Sequence, residues 1–286
     1  MYIENIQSFL PLYQNFEKEK FLAILDRSNT QDFDPFKFEK DFLLTLILIK
    51  FWEKYKDLVF KGWTCLNKVY FPYFRLSEDL DFVLNMEIGR NARKTILKEY
   101  EENFIKDLSI LGITLREERT KFDEYRLAMF TFEYRSIINQ SLQTIKIDIS
   151  LKGRLSLWAK PGKIQSIFID SVYEEPLFSQ DHTISCIDLT ESVAEKMRAA
   201  LTRREPAIRD FFDIWYVRSF SDFDFESPEF RSLLRQKLAE VQYEYTLENN
   251  KSLLERQIIT DLKPVLTDNY GFDFDTIYAF ILSYKI

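Results

Sequence analysis

Asp79 and Asp81 stand two residues apart in Asp79-Leu80-Asp81-Phe82-Val83-Leu84. On a strand, residues two apart share a face. Both carboxylates then project together while Leu80, Phe82 and Leu84 turn to a core. Carboxylates side by side repel unless a cation neutralises them. Mg²⁺ suits such a pair, because it takes one or two carboxylates together with substrate phosphates. Asp148 offers a third acid. Ile145-Lys146-Ile147-Asp148-Ile149 alternates, so this carboxylate points away from an apolar face. If the two strands are neighbours, three carboxylates converge and can hold two Mg²⁺ ions, ~3.5–4 Å apart in sites that run in-line phosphoryl displacement.

The segment ahead of the acids suits phosphates. Gly62 permits close backbone approach, and Thr64 opens a short helix whose free N–H groups favour anions. Lys68, four residues on, shares a helix face with Thr64. Gly62 and Thr64 are expected to cradle the triphosphate of an NTP, with Lys68 or Lys61 adding charge. Ser77 either precedes the strand or lines the pocket. Asp-x-Asp alone also suits a solvated strand edge. Gly-x-Thr, a short helix and then Asp-x-Asp is a narrower pattern.

The elements that must position these residues are legible in outline. Helices are expected over about 12–27, 37–57, 64–70 and 91–111, with Pro72 stopping the third. Strands are expected at 58–60, 79–84, 113–119, 125–134 and 144–151. From about Ile187 the texture turns helical: 190–203, 208–220, 228–245, 253–262 and 274–283. Asp188 and Glu191 have capping-box spacing, and Pro161-Gly162 and Glu175-Pro176 read as turns. The fold class is α+β: a mixed sheet with flanking helices over 1–185, and a helical C-terminal domain, 186–286, packed on it.

Composition excludes other chemistries. The 286-residue chain has 6 Gly, never clustered, so no dinucleotide loop, P-loop or kinase loop is present. With His182 alone, a His-rich zinc site is excluded, and no Gly-x-Ser-x-Gly elbow accompanies it. Cys65 and Cys186 make no metal or disulfide framework and point to a reducing compartment. No basic leader precedes an apolar core, and the longest apolar run, Phe42–Ile49 broken by Thr45, is far short of the ~20 residues that span a bilayer. A cytoplasmic protein without a membrane partner is expected. The net charge of −7 gives no global attraction to nucleic acid, although a local basic groove is compatible with it.

Lys61-Gly62-Trp63-Thr64-Cys65-Leu66-Asn67-Lys68, followed by Arg75-Leu76-Ser77-Glu78-Asp79-Leu80-Asp81, resembles the polymerase-β-type nucleotidyltransferase signature. More narrowly it resembles the AbiEii/MenT toxins of bacterial abortive-infection and toxin–antitoxin systems. That family usually reads Gly-Gly-Thr-x-Leu-x-Lys, then Arg-Phe-Ser-x-Asp-Ile-Asp. Here Trp63 replaces the second Gly and Leu76 the Phe; Trp63 either narrows the nucleotide pocket or stacks on a base. Glu191-Ser192-Val193-Ala194-Glu195-Lys196-Met197-Arg198-Ala199 and Arg209-Asp210-Phe211-Phe212-Asp213 are similar to the family's Lys-x-Arg-Ala and Arg-Asp-x-x-Asp helices.

The resemblance implies an Mg²⁺-dependent transfer of NMP from an NTP to an acceptor hydroxyl. The implied acceptor is RNA, best a tRNA 3′ end, and the implied protein partner is an antitoxin. Asp79, Asp81 and Asp148 would bind the metals, Lys196 would contact phosphate, Asp210 would complete the active site, and Arg209 would join the nucleotide-binding residues. Arg198, Arg203, Arg204 and Arg209 could supply a local patch for RNA. Two rivals share the residues: transfer to a small molecule such as an aminoglycoside or to a protein hydroxyl, and a non-catalytic nucleotide- or partner-binding module. Bland readings stand beside the sharper ones. Arg209 and Asp213 suit a solvated i,i+4 pair, Lys196 and Arg198 a charged helix face, and His182 a loop.

Overall fold

A computed structural model of the chain describes residues 18–30, 32–71, 73–84, 89–117, 121–123, 126–151, 155–170, 173–179, 181–241, 247–266 and 271–284. Several expectations fall partly outside these residues: 12–17 of the first helix, Pro72, 118–119 and 125 of two strands, and 242–245 of a later helix. The chain divides into two units, Met1–Ile187 and Asp188–Ile286.

The first unit is a mixed sheet with helices on its apolar face. Its strands are β1 (Leu58–Lys61), β2 (Asp79–Leu84), β3 (Thr114–Leu115), β4 (Lys121–Asp123), β5 (Leu127–Arg135), β6 (Leu142–Ser150), β7 (Lys160–Lys163) and β8 (Thr183–Cys186). Their order is β3-β5-β6-β2-β1-β8-β7, with β4 also on β5. The β2–β6 and β1–β8 pairs are parallel; the others are antiparallel. Leu80, Phe82, Leu84, Ile145, Ile147, Ile149, Phe130 and Phe132 form one buried face, as the period-two pattern requires.

Helix α1 (Lys18–Ser28) is followed by α2 (Pro35–Lys54). Asp34 caps α2 by accepting from the Lys37 amide at 2.9 Å, and Pro35 suits the first turn. Phe38, Phe42 and Leu46 are buried, and so is every other residue from 38 to 49, so α2 runs through the core rather than along its surface. Its Phe51 stacks on Phe104 of α4 (Arg90–Ser109) at 4.6 Å between ring centroids. Many of the 27 Phe residues thus serve the core.

One expectation fails here. Pro161-Gly162 lies inside β7 instead of forming a turn. At this outer strand a missing proline N–H costs no ladder bond. A Cβ at Gly162 would sit 2.7 Å from Cys186 Sγ, so only glycine fits beside β8. The helix expected at 64–70 is present, entered two residues earlier as α3 (Gly62–Cys65) and continued by a π-turn, Leu66–Tyr70.

The second unit contains α5 (Leu189–Thr202), α6 (Ile208–Phe220), α7 (Pro228–Ala239), α8 (Lys251–Gln257) and α9 (Phe274–Leu282). Half of the expected capping box forms. Asp188 accepts from the Thr190 amide at 2.7 Å, but Glu191 is drawn into the interior by Lys237 at 2.5 Å. Among the described residues, no helix is long and apolar enough to cross a membrane.

Candidate active site

The register of the sheet brings the three aspartates together. On β2 and β6, Asp81 is directly opposite Asp148 and Asp79 opposite Lys146. Register partners project to one side, so Asp79, Asp81 and Asp148 share the face opposite the apolar core. Asp148 Oδ1 is buried and has no hydrogen-bond partner among the described residues. Burial raises the Asp148 carboxyl, and the charges of Asp81 and Asp79 raise it further. Lys146 offsets part of this, and the group is pushed up to about 7. At Asp148, burial and the neighbouring acids therefore outweigh the one lysine that opposes them.

The turn before the acids is shaped around Asp81. Gly62 has φ +71°, a conformation that side chains disfavour, and a Cβ there would come within 2.8 Å of Asp81 Cγ. Lys61 is opposite Asp81 on β1, which puts it on the face of the acids. Thr64 and Ser77 are buried. Their hydroxyls share a hydrogen bond at 2.7 Å, and Thr64 donates to the Asp79 carbonyl. These two side chains thus pin the start of β2. Arg75, also buried, donates to the Leu76 carbonyl at 2.9 Å and lies over the Trp63 ring at 4.5 Å. Trp63, in place of the family's second glycine, is clamped by a cation on one face.

Lys68 is corrected by the structure. Its side chain and that of Asp41 are both 0% exposed, and its ammonium donates to Asp41 Oδ2 at 2.6 Å. Thr45 Oγ1 at 3.0 Å and the Tyr73 hydroxyl at 2.8 Å take its remaining protons. An ammonium with three satisfied donors inside the core has nothing left for a phosphate. Burial lowers the Lys68 ammonium and raises the Asp41 carboxyl, each opposed by the other's charge. This node ties α2 to the segment between Gly62 and Asp79. Asp41 was missed as its partner, although a charged residue and Thr45 within the long apolar run of α2 were the available signal.

Glu78, beside Asp79, is held by Lys37 at 2.6 Å and Lys40 at 2.9 Å. Burial would raise its carboxyl, but the two lysines outweigh burial and pull it down to about 2.

In the second unit, Lys196 lies 3.2 Å from Asp210 Oδ1, and Arg203 lies 2.7 Å from Oδ2. Asp210 and Asp213 are buried, and Arg209 is half-buried. The solvated-surface reading of Arg209 and Asp213 therefore does not fit. His182, Cys65 and Cys186 are buried as well.

The donors are hard carboxylate oxygens, the kind a divalent cation takes. Among the described residues, no three His, Cys, Asp or Glu side chains stand where they could hold one metal ion together, so a cation here would draw on one or two of the carboxylates. An open carboxylate cluster matches Mg²⁺, which keeps water and phosphate in its coordination sphere.

The family model described as "Nucleotidyl transferase AbiEii toxin, Type IV TA system" matches residues 52–279. The chain belongs to the AbiEii nucleotidyltransferase toxin family. It is therefore a nucleotidyltransferase enzyme, and the family implies an NTP substrate and an antitoxin partner. No curated protein matches the chain by sequence. Two solved structures share the fold. MenT4, a nucleotidyltransferase toxin from Mycobacterium tuberculosis H37Rv, is 15% identical, with TM-score 0.52 over 91% of this chain and 98% of that one. JHP933 from Helicobacter pylori is 16% identical, with TM-score 0.51 over 88% of this chain and 91% of that one.

Proposed function

We propose that this AbiEii enzyme transfers NMP from an Mg²⁺-bound NTP to the 3′-terminal hydroxyl of an RNA, best a tRNA, and that it does so in the cytoplasm. The observation that carries the reading is the register of Asp81 against Asp148, with Asp79 one step along the same face. Asp79, Asp81 and Asp148 would hold up to two Mg²⁺ ions. Bound there, Mg²⁺ neutralises the triphosphate and supplies Lewis-acid chemistry.

The chain's own residues do the rest. The Gly62 turn leaves space for the triphosphate beside Asp81, with Thr64 and Ser77 holding that turn against β2. Of the two lysines considered, Lys61 adds the charge beside the triphosphate. Asp148 orients the acceptor hydroxyl and receives its proton as the oxygen attacks the α-phosphorus. The bond from that phosphorus to pyrophosphate breaks as the new P–O bond forms. Catalysis rests on positioning and charge, with no covalent enzyme intermediate. In the helical unit, Lys196 is the proposed phosphate-contacting cation, Asp210 its carboxylate partner, and Arg209 a further nucleotide contact.

The test incubates the full chain with Mg²⁺, each α-labelled NTP and total RNA. Label is expected in an RNA of tRNA size with at least one NTP. Asp81→Ala is expected to abolish labelling and growth arrest while the thermal transition stays cooperative. Labelling of a small molecule or a protein instead of RNA would refute the acceptor. No labelling by a folded wild-type chain would refute the reading as a whole.

A further inference from the structure

Gln257, the last residue of α8, lies in the C-terminal part of the chain that carries none of the four motifs. Its carboxamide reaches the start of α6. Oε1 accepts from the Ile208 amide at 2.8 Å, and Nε2 donates to the Pro206 carbonyl at 3.1 Å. A backbone N–H can only donate and a carbonyl can only accept, so both ends of the carboxamide are used. The two bonds flank Ala207, which is extended with φ −119° and ψ 121°. Gln257 thus holds this stretch from both sides of one residue.

The start of α6 needs that support. The first amides of a helix have no partner within it. Helices α5, α7 and α9 meet the need with their own caps, Asp188, Ser227 and Asp273. Helix α6 follows Ala207, whose methyl group caps nothing. Its first turn carries Arg209 and Asp210. Asp210 is 0% exposed, 3.2 Å from Lys196 on α5 and 2.7 Å from Arg203 in the connection between the two helices. The Asp210 amide donates to the Ala207 carbonyl at 2.9 Å, so a shift at Ala207 passes directly to Asp210. Helix α8 is followed at once by a π-turn, Ile258–Leu262, that packs on α6. Such turns are frequent at functional sites.

We infer that Gln257 is a positioning residue: its carboxamide fixes the entry to α6 and so holds Arg209 and Asp210, with Lys196 paired to Asp210, in the arrangement that binds the NTP. The inference rests on the nucleotide-binding roles proposed for Lys196, Arg209 and Asp210. In this role Gln257 acts through the turn and not by touching substrate. Pro206 and Ile208 are buried, so without Gln257 a carbonyl and an amide lose their partner away from water. The turn then shifts until water reaches them, and Asp210 moves with it.

The test uses the full chain, with ATP, CTP, GTP and UTP in Mg²⁺ as probes. Gln257→Met keeps the length of the side chain and loses both hydrogen bonds. Gln257→Glu keeps the bond from Ile208 and loses the one to Pro206. Ser227→Ala, which uncaps α7, is the control for simple destabilisation. Hydrogen exchange over 206–212 is read by mass spectrometry, NTP affinity by equilibrium dialysis, and transfer by labelled NMP. Gln257→Met is expected to speed that exchange and to weaken the preferred NTP about tenfold, the worth of one hydrogen bond. The KM for NTP should rise as much, with kcat within about twofold. Gln257→Glu should fall between Gln257→Met and wild type. Ser227→Ala should lower the Tm while NTP affinity and exchange over 206–212 stay at the wild-type values. Unchanged exchange in Gln257→Met overturns the clamp, and faster exchange with unchanged NTP affinity overturns the positioning role. An equal loss of NTP affinity in Ser227→Ala overturns it too. If Gln257→Met weakens NTP binding yet wild type labels no acceptor, the inference stands and the proposed reaction fails. If wild type labels RNA and Gln257→Met does so with an unchanged KM, the reaction stands and the inference fails. A wild-type chain that binds no NTP overturns both.

Discussion

A methyl group at position 62 would collide with the Asp81 carboxylate, and the φ of +71° there disfavours any side chain. Gly62→Ala is therefore expected to cost about 1–2 kcal/mol from the left-handed backbone alone. It should cut transfer by at least about 100-fold, because a ~1 Å displacement at a reacting centre has that effect. Thermal unfolding and NMP transfer check the two halves separately. Asp148 makes a prediction of opposite sign. Its carboxyl is raised to about 7, so in the folded chain its ionised form is disfavoured. Its contribution to stability is greatest below the unfolded pKa of ~4 and falls as pH rises toward 7. Asp148→Asn should thus raise the metal-free Tm at pH 8, by about 2–4 °C for each ~1 kcal/mol relieved. The gain should vanish near pH 4, and the variant should be inactive.

At the scale of elements, the sheet supplies the acids and α2 holds the turn that faces them. Lys68→Met would leave Asp41 buried without its counter-charge, a loss of about 3–5 kcal/mol. Lys68→Met with Asp41→Leu should recover most of that stability, because an apolar pair of similar volume replaces a buried ion pair at little cost. A double-mutant cycle by chemical denaturation measures it. A phosphate-contacting Lys68 would instead give full stability and a raised KM for NTP. Glu78 joins α2 to the residue before Asp79 through Lys37 and Lys40. Its carboxyl is depressed to about 2, so its stabilising effect is present above ~4.5 and disappears as pH falls through 2. Glu78→Gln is expected to cost about 1–2 kcal/mol at pH 7, discounted for partial exposure, and progressively less below pH 4.5.

For the whole molecule, the relevant quantity is charge, −7 overall. With no broad positive field, log affinity for single-stranded RNA should fall with log salt at a shallow slope, set by the few cations that meet phosphate. A broadly cationic protein would give a much steeper line. The same division between local pattern and assembled fold separates what was legible in the residues from what was not. Period-two alternation put Asp79 and Asp81 on one face and Asp148 on another strand's outer face, and helical spacing located α2, α4 and α6, because side-chain periodicity is a property of the local backbone. The four ordered motifs were legible through their resemblance to those of the family, not through periodicity. Which strands are neighbours, and in what register, depends on contacts between residues far apart in the chain. Only the fold set Asp81 against Asp148, turned Pro161-Gly162 into an edge strand, and buried Lys68 on Asp41. A lysine's spacing tells which side of its helix it leaves from; what waits on that side is decided by the packing of everything else.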